Sequence, residues 1–309
     1  MKTGAVIAAA GIGQETFEPM RRYGSITVIE RLILTLQKAG VSPIVVVTGN
    51  QASLLEKHVS KLGVICLRNS DYINMEMMDS ARIGFQYIEK MCDQVLFSPA
   101  DMALFSYETI AKLMNSGASL AVPVYGEKDG HPVLISSRLL PEIMDYQGKD
   151  GLQGAFQCCS KEIDKIQVED EGILIETDKM DHFKELLSVR NDQLLRPKFS
   201  LSLIKEKEFF DQKTADLLRS IKRTESVREA CSQMGISYSK CWNILNLVEE
   251  QLKYPVLVRH PGGMNGGYTT LSPKGELLLN RFETFFTEAD QAVSEIYHRI
   301  FEEKRDKFI

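Results

Sequence analysis

Long hydrophobic runs are the first thing missing. No apolar stretch among the 309 residues approaches the ~18 needed to cross a bilayer. The run Ala5–Ala10 is too short for a secretory core and leads into a glycine turn instead of a cleavage site. A membrane protein is therefore not expected, and the chain reads as cytoplasmic. Cysteine is sparse, with six residues and no C-x-x-C, and Cys158 and Cys159 are neighbours, where a disulfide would be strained. That argues against a disulfide scaffold and predicts reduced thiols used as small core residues. No Cys/His pairs stand at ligand spacing, so no zinc site is expected. With 44% hydrophobic and 26% charged residues, disordered, collagen-like and mucin-like classes are excluded. At roughly 100–200 residues per domain the length suggests two domains.

Charge supports that division. The net charge is −5, but residues 1–195 carry 19 Lys and Arg against 26 Asp and Glu, and residues 196–309 carry 18 against 16. Within 219–259 seven cations face four carboxylates. An acidic front and a locally basic back suggest modules with different partners.

The front half alternates apolar runs with helical periodicity. Strands are predicted at Ala5–Ala10, Ile44–Val47, Gly63–Leu67 and Val95–Phe97. Helices are predicted through Val28–Leu36, Ala52–Leu62, Ser80–Met91 and Tyr107–Met114. Continuous apolar strands separated by helices predict an α/β fold with a mostly parallel, doubly wound (Rossmann-like) sheet. Ligands bind outside the carboxyl ends of such strands, which singles out the loops after Ala10, around Asn69–Ser80 and after Phe97. Gly11-Ile12-Gly13 can point backbone N–H groups at phosphate or be a plain turn. It lacks the third glycine of a dinucleotide fingerprint, and no P-loop motif occurs. Asp101 either caps a turn or, at a strand's carboxyl end, holds Mg²⁺ with substrate phosphates. Gly172–Asp178 reads as an apolar strand ending in two carboxylates, Glu176 and Asp178, and carboxylates from separate strand ends are what a Mg²⁺–triphosphate site requires.

Four segments in order then resemble a family: Ala8-Ala9-Ala10-Gly11-Ile12-Gly13, Ser98-Pro99-Ala100-Asp101-Met102-Ala103-Leu104, Gly130-His131-Pro132-Val133-Leu134 and Gly172–Asp178. They resemble the MobA-like NTP transferases, and more narrowly the molybdenum cofactor cytidylyltransferases, across about residues 3–190. The resemblance implies that Ala9, Ala10, Gly11 and Gly13 bind nucleotide, and that Asp101 and Asp178 bind Mg²⁺ in the catalytic site. It also implies that Gly130, His131 and Pro132 line an acceptor site. The reaction implied is nucleotidyl transfer from an NTP, CTP in the first instance, to the phosphate of a pterin cofactor. Glu15 stands where the family carries an arginine, and the loop has no lysine, so Arg21 is the remaining candidate for charge neutralisation. The alternative is a domain that senses nucleotide or cofactor without turning it over.

The boundaries expected are 1–190 for the transferase-like domain, 191–199 for a polar linker with Pro197, and 200–309 for a mainly helical domain. Helices are predicted at Lys207–Ile221, Ser226–Met234 and Ser237–Leu252. The last two are joined by a glycine turn with Ser237 as cap, which is a helix-turn-helix pattern. Ser237, Tyr238, Ser239, Lys240 and Asn243 then offer donors for phosphates and base edges of duplex DNA, while Trp242 is expected in the core. A hairpin from Val256–Arg259 through a glycine-rich tip to Tyr268–Leu271 forms a wing, with Gly263, Met264 and Asn265 at its tip. Gly235–Trp242, Gly262–Gly267 and Leu271–Gly275 resemble the winged helix-turn-helix of ModE-type molybdate-responsive regulators, and less closely the LysR type. Past Pro273, the residues Leu278, Phe282, Phe285, Ala289, Ala292 and Ile296 recur in steps of four and three, a seam that either packs against the helix's own domain or, as the resemblance implies, pairs subunits, and a homodimer is the reading favoured.

Overall fold

In a computed structural model of the chain, the predicted alternation resolves into two compact units, Met1–Leu195 and Arg196–Ile309. The structure describes residues 1–11, 18–74, 76–159, 163–176, 179, 183–195, 197–260 and 267–302.

The front unit runs β1 (Thr3–Ala9), β2 (Arg22–Tyr23), β3 (Ile26–Thr27), α1 (Val28–Lys38), β4 (Ile44–Thr48), α2 (Ala52–Val59), β5 (Ile65–Arg68) and α3 (Met77–Ile88). It continues with β6 (Gln94–Pro99), α4 (Tyr107–Met114), β7 (Leu120–Tyr125), β8 (Lys128–Asp129) and β9 (Val133–Ser136). It ends with α5 (Leu140–Asp145), α6 (Gly151–Cys159), β10 (Asp164–Gln167) and α7 (Lys184–Asp192). One sheet has the order β10-β7-β9-β6-β1-β4-β5, with β8 paired to β7. Its centre is parallel, and β9 runs antiparallel to both β6 and β7.

Alternation along β1 builds two cores. Ala5, Ile7 and Ala9 pack with Ile29, Ile33 and Leu36 of α1, Leu55 of α2 and Ile110 of α4. Val6, with Val45 and Val47 of β4, packs against Ala81 and Phe85 of α3, Ile143 of α5 and Phe156 of α6. Both faces of the sheet are covered, which is why its strands read as uninterrupted apolar runs. Helix α1 starts at a capping box in which Thr27 Oγ1 accepts from Glu30 N and Glu30 accepts from Thr27 N.

Two expectations are corrected. Residues 172–175 are not a strand, because Glu171–Leu174 forms a 3₁₀ turn capped by Asp170, whose Oδ1 accepts from Gly172 N at 3.1 Å. Helix α7 runs to Asp192, so the first residues of the expected linker are helical.

The back unit contains β11 (Ser202–Ile204), β12 (Glu208–Asp211), α8 (Gln212–Thr224), α9 (Val227–Gln233), α10 (Tyr238–Leu252), β13 (Leu257–His260), β14 (Tyr268–Leu271) and α11 (Pro273–Tyr297). The expected helix from Lys207 begins as a strand. Phe209 and Phe210 lie in the β11–β12 hairpin, and Asp211 then caps α8 by accepting from Thr214 N. Cys231 and Cys241, predicted as separate thiols, form a disulfide between α9 and α10, with Cα atoms 6.3 Å apart. Phe282 does not belong to an outer seam. It is buried in this unit's own core, its ring centroid 4.9 Å from that of Phe210, while Phe285 on the same helix is exposed.

Candidate functional site

Parallel pairing decides which loops meet. Ala9 of β1 is in register with Thr48 of β4, and Ala8 with Pro99 of β6. Thr48 is in turn paired with Arg68 of β5. The residues that follow these strands therefore form a row along the carboxyl edge of the sheet: Asp101, then Ala10 and Gly11, then Gly49, then Asn69. Backbone bonds tie the row together, with Ala100 N donating to Ala8 O at 3.0 Å, Asn50 N to Ala10 O at 3.3 Å and Asn69 N to Thr48 O at 2.7 Å. Glycine is required at position 49. A Cβ there would lie 2.7 Å from Tyr72 Cβ and 2.8 Å from the Cβ and carbonyl oxygen of Ala10.

Beside this row opens a cleft of about 550 Å³ lined by Gly49, Ser53, Leu54, Arg68, Asn69 and Tyr72, among others. Asn69 is buried and shapes the cleft's wall, donating to Ser80 Oγ at 3.3 Å and accepting from Asp71 N at 3.1 Å. Arg68 donates to both carboxylate oxygens of Glu56, at 3.1 and 2.5 Å, and this pairing raises its pKa. The loop from Asn69 was legible as a loop on the sheet's carboxyl edge. Gly49 and Arg68 were not, since a lone glycine and a strand-end arginine carry no motif.

Asp101 is exposed just beyond β6. Its carboxylate is a hard oxygen donor of the kind Mg²⁺ takes singly or in pairs alongside substrate phosphates. Among the described residues no cluster of three or more His, Cys, Asp or Glu side chains forms a dedicated metal cage. Arg21 has its guanidinium 3.7 Å from Glu18 and 5.1 Å from the centre of the Tyr23 ring. Gly13, Glu15 and Asp178 lie outside the described residues.

The Gly130–Pro132 segment is brought against the 3₁₀ turn. His131 N donates to Ile173 O at 3.0 Å, and a Cβ on Gly130 would lie 2.6 Å from that same oxygen. Pro132 is buried. His131 is half-buried, its Nδ1 sealed from solvent and without a partner among the described residues, and burial pushes its pKa down to about 4. It is a neutral imidazole near pH 7, suited to hydrogen bonding and not to carrying charge.

Asp170, which the sequence did not single out, fixes this turn. Its Oδ2 accepts from Ser106 N at 2.8 Å and Thr109 Oγ1 at 2.6 Å, and its Oδ1 also accepts from Arg190 Nη2 at 2.7 Å. One buried carboxylate thus joins the start of α4, the 3₁₀ turn and α7.

In the back unit, α9 and α10 are joined through Gly235, at φ +62°, and Ser237 Oγ caps α10 by accepting from Lys240 N at 3.3 Å. Ser237, Tyr238, Ser239, Lys240 and Asn243 are all exposed on the first turns of α10. Trp242 is not fully in the core as expected. It is half-buried, with the Arg259 guanidinium 4.1 Å above its ring. Strands β13 and β14 pair antiparallel from Leu257–Leu271 to His260–Tyr268. Gly263, Met264 and Asn265 lie outside the described residues.

A doubly wound sheet with a glycine-and-carboxylate row on its carboxyl edge is the architecture of nucleotide-handling α/β proteins. The chain belongs to the MobA-like NTP transferase domain family, which residues 5–165 match. Its front unit shares a fold with a nucleotidyl transferase from Methanothermobacter thermautotroptrophicus, with a TM-score of 0.52 and 20% identity over 62% of this chain and 98% of that one. The C-terminal region is similar to the transcriptional regulator ModE of Haemophilus influenzae, 33% identical over 75 residues, covering 24% of this chain and 29% of the regulator. The chain is also similar to the molybdenum-pterin-binding protein MopB of Rhodobacter capsulatus, 38% identical over 63 residues, covering 20% of this chain and 23% of that one. The chain spans less than a third of the length of either curated relative.

Proposed function

We propose that the front unit transfers the nucleotidyl group of an NTP, CTP in the first instance, to the phosphate of a pterin molybdenum cofactor, and that the back unit binds duplex DNA. The observation that carries the first half is the register of β1, β4 and β6, which aligns Gly11, Gly49 and Asp101 along one sheet edge, where Gly49 also lines an open cleft. In the reaction an acceptor phosphate oxygen bonds to the α-phosphorus, the bond from that phosphorus to the bridging oxygen breaks, and pyrophosphate leaves. Asp101, with Asp178, would hold Mg²⁺, which when bound withdraws negative charge from the triphosphate. Gly11 presents its backbone N–H to phosphate, and neutral His131 offers a hydrogen bond to the acceptor. The likeness of the C-terminal region to ModE and MopB supports both the molybdenum connection and the DNA partner. The exposed Phe285 and Ile296 of α11 are offered to a second copy.

One observation favours a second reading, a nucleotide or cofactor sensor without turnover. Arg68 and Arg21 are each engaged by a carboxylate, and Glu15 adds negative charge to the loop, so cationic stabilisation of a transition state is weak. Calorimetry with CTP in Mg²⁺ or EDTA, on wild type and Asp101→Ala, separates the possibilities when joined to a pyrophosphate assay with cofactor acceptor. Pyrophosphate release supports the transferase, and Mg²⁺-dependent binding without release supports the sensor. Metal-independent binding, unchanged in Asp101→Ala, sinks the Mg²⁺ assignment. No helix among the described residues is long and apolar enough to cross a membrane.

A further inference from the structure

Two stretches of the back unit contain no carboxylate: Ala230–Val248, which includes most of α10, and Tyr254–Gly275, which includes β13 and β14. Where these stretches meet, Arg259 of β13 lies with its guanidinium 4.1 Å over the Trp242 ring of α10. Tyr238, one turn earlier on α10, meets the same ring edge-on with centroids 6.0 Å apart. Arg259 and Tyr238 are exposed. Among the described residues the Arg259 side chain makes no ion pair or hydrogen bond, unlike those of Arg68, Arg190 and Arg219, each of which is paired with a carboxylate. An arginine held by an aromatic face keeps its full charge and its in-plane N–H donors for an outside acceptor.

We infer that Arg259 is a phosphate-contacting residue for duplex DNA, and that Trp242 is its positioning residue, holding the guanidinium where α10 meets the β13–β14 hairpin. The inference rests on the DNA reading of the back unit. A duplex fits better than a single strand. Single-strand binding uses open aromatic faces as platforms for bases, whereas one face of Trp242 carries Arg259 and its edge meets Tyr238.

Trp242 is the chain's only tryptophan, so its emission reports this site alone. The test uses the full chain and a labelled duplex of arbitrary sequence, about 24 base pairs long, because phosphate contacts are sequence-independent. Duplex binding should change Trp242 emission. Arg259→Gln should flatten the log–log salt slope of affinity by about one unit. The wild-type advantage over this variant then shrinks about 3.5-fold when salt is raised fourfold. Arg259→Lys should retain the slope. Trp242→Leu should weaken binding in the wild-type background, have no further effect in Arg259→Gln, and be largely rescued by Trp242→Phe. Thermal melts establish that each variant folds. If Trp242→Leu does not, the Arg259 pair and the emission change decide the matter. Duplex binding with an unchanged slope in Arg259→Gln, or losses that multiply in the double variant, would overturn the assignment and leave the DNA reading standing. Tighter binding to a single strand of equal length overturns the choice of duplex. Absence of any salt-sensitive duplex binding by wild type overturns both the assignment and the DNA reading.

Discussion

Replacing Asp170 tests whether one carboxylate holds the start of α4, the 3₁₀ turn and α7 together. Asp170 is 4% exposed and accepts four hydrogen bonds, from Arg190 Nη2, Gly172 N, Ser106 N and Thr109 Oγ1. Arg190 is itself only 14% exposed, and its Nε and Nη1 are taken by Leu104 O and Gln193 Oε1. Asp170→Ala leaves a guanidinium and two backbone N–H groups without their acceptor. Breaking one side of a buried ion pair costs about 4 kcal/mol. Asp170→Asn keeps one acceptor oxygen but loses the charge, and should cost about 2 kcal/mol. With an m-value of about 3 kcal/mol per molar urea for a unit of this size, the alanine variant's midpoint should fall by about 1.3 M. Trp242 fluorescence follows the back unit, so the front-unit transition is best read by peptide-level hydrogen exchange across residues 95–135. Exchange should also rise first in 104–110 and 170–175, the segments that Asp170 joins. A midpoint shift below about 0.3 M in the alanine variant, equivalent to about 1 kcal/mol, would show that the network is dispensable.

Three further outcomes follow from the same geometry. The His131 pKa is pushed from an ordinary 6.5 down to about 4 by burial, so the unfolded chain binds more protons between these values. Stability should therefore fall as pH drops from 6.5 towards 4, and His131→Gln should flatten that part of the profile; an identical profile in the variant would refute the buried neutral imidazole. Gly49→Ala forces a Cβ to within 2.8 Å of Ala10, and CTP affinity measured by calorimetry should drop about tenfold or more. Phe282→Ala should destabilise the back unit by about 4 kcal/mol, whereas Phe285→Ser should change its stability by less than about 0.5 kcal/mol yet lower self-association in light scattering. Equal destabilisation by both would contradict the burial difference between them.

Periodicity carried most of the elements. Tyr107–Met114 is helical to the residue, and strands buried on both faces show as apolar runs because neither face needs a polar residue. Direction and partner are not written in such runs. The antiparallel β9, flanked by β6 and β7, reads like any other buried segment. Ile173–Ile175 looks like a strand by composition. The chain turns there because Asp170 caps Gly172 N and because a Cβ on Gly172 would lie 2.2 Å from Leu104 O, a tertiary contact that local patterning cannot express. On the sheet's carboxyl edge, the positions of Gly11 and Asp101 were legible because they follow strands. Asp170 with Arg190, Trp242 with Arg259, and the disulfide partners are joined only by folding. The same holds for Phe282: a seam in steps of four and three cannot tell a helix's own core from a neighbour's.

Helix α11 spans 25 residues, about 37 Å at 1.5 Å per residue. Past Phe286 none of its described side chains is buried, and the chain beyond shows Ile296, Ile300 and Phe301 about half exposed. The final eleven residues, Thr287–Tyr297, are thus thermodynamically closer to a peptide than to a domain. The helical course continues through His298–Glu302 and extends a helix already nucleated on the core, so this stretch depends on local propensity more than on burial. Helicity in this stretch becomes a variable, set by temperature and by whatever covers Phe285 and Ile296. If a second copy covers Phe285 and Ile296, amide exchange there should be rapid in dilute protein and slow with rising concentration, and the tail would then convert protomer concentration into secondary structure.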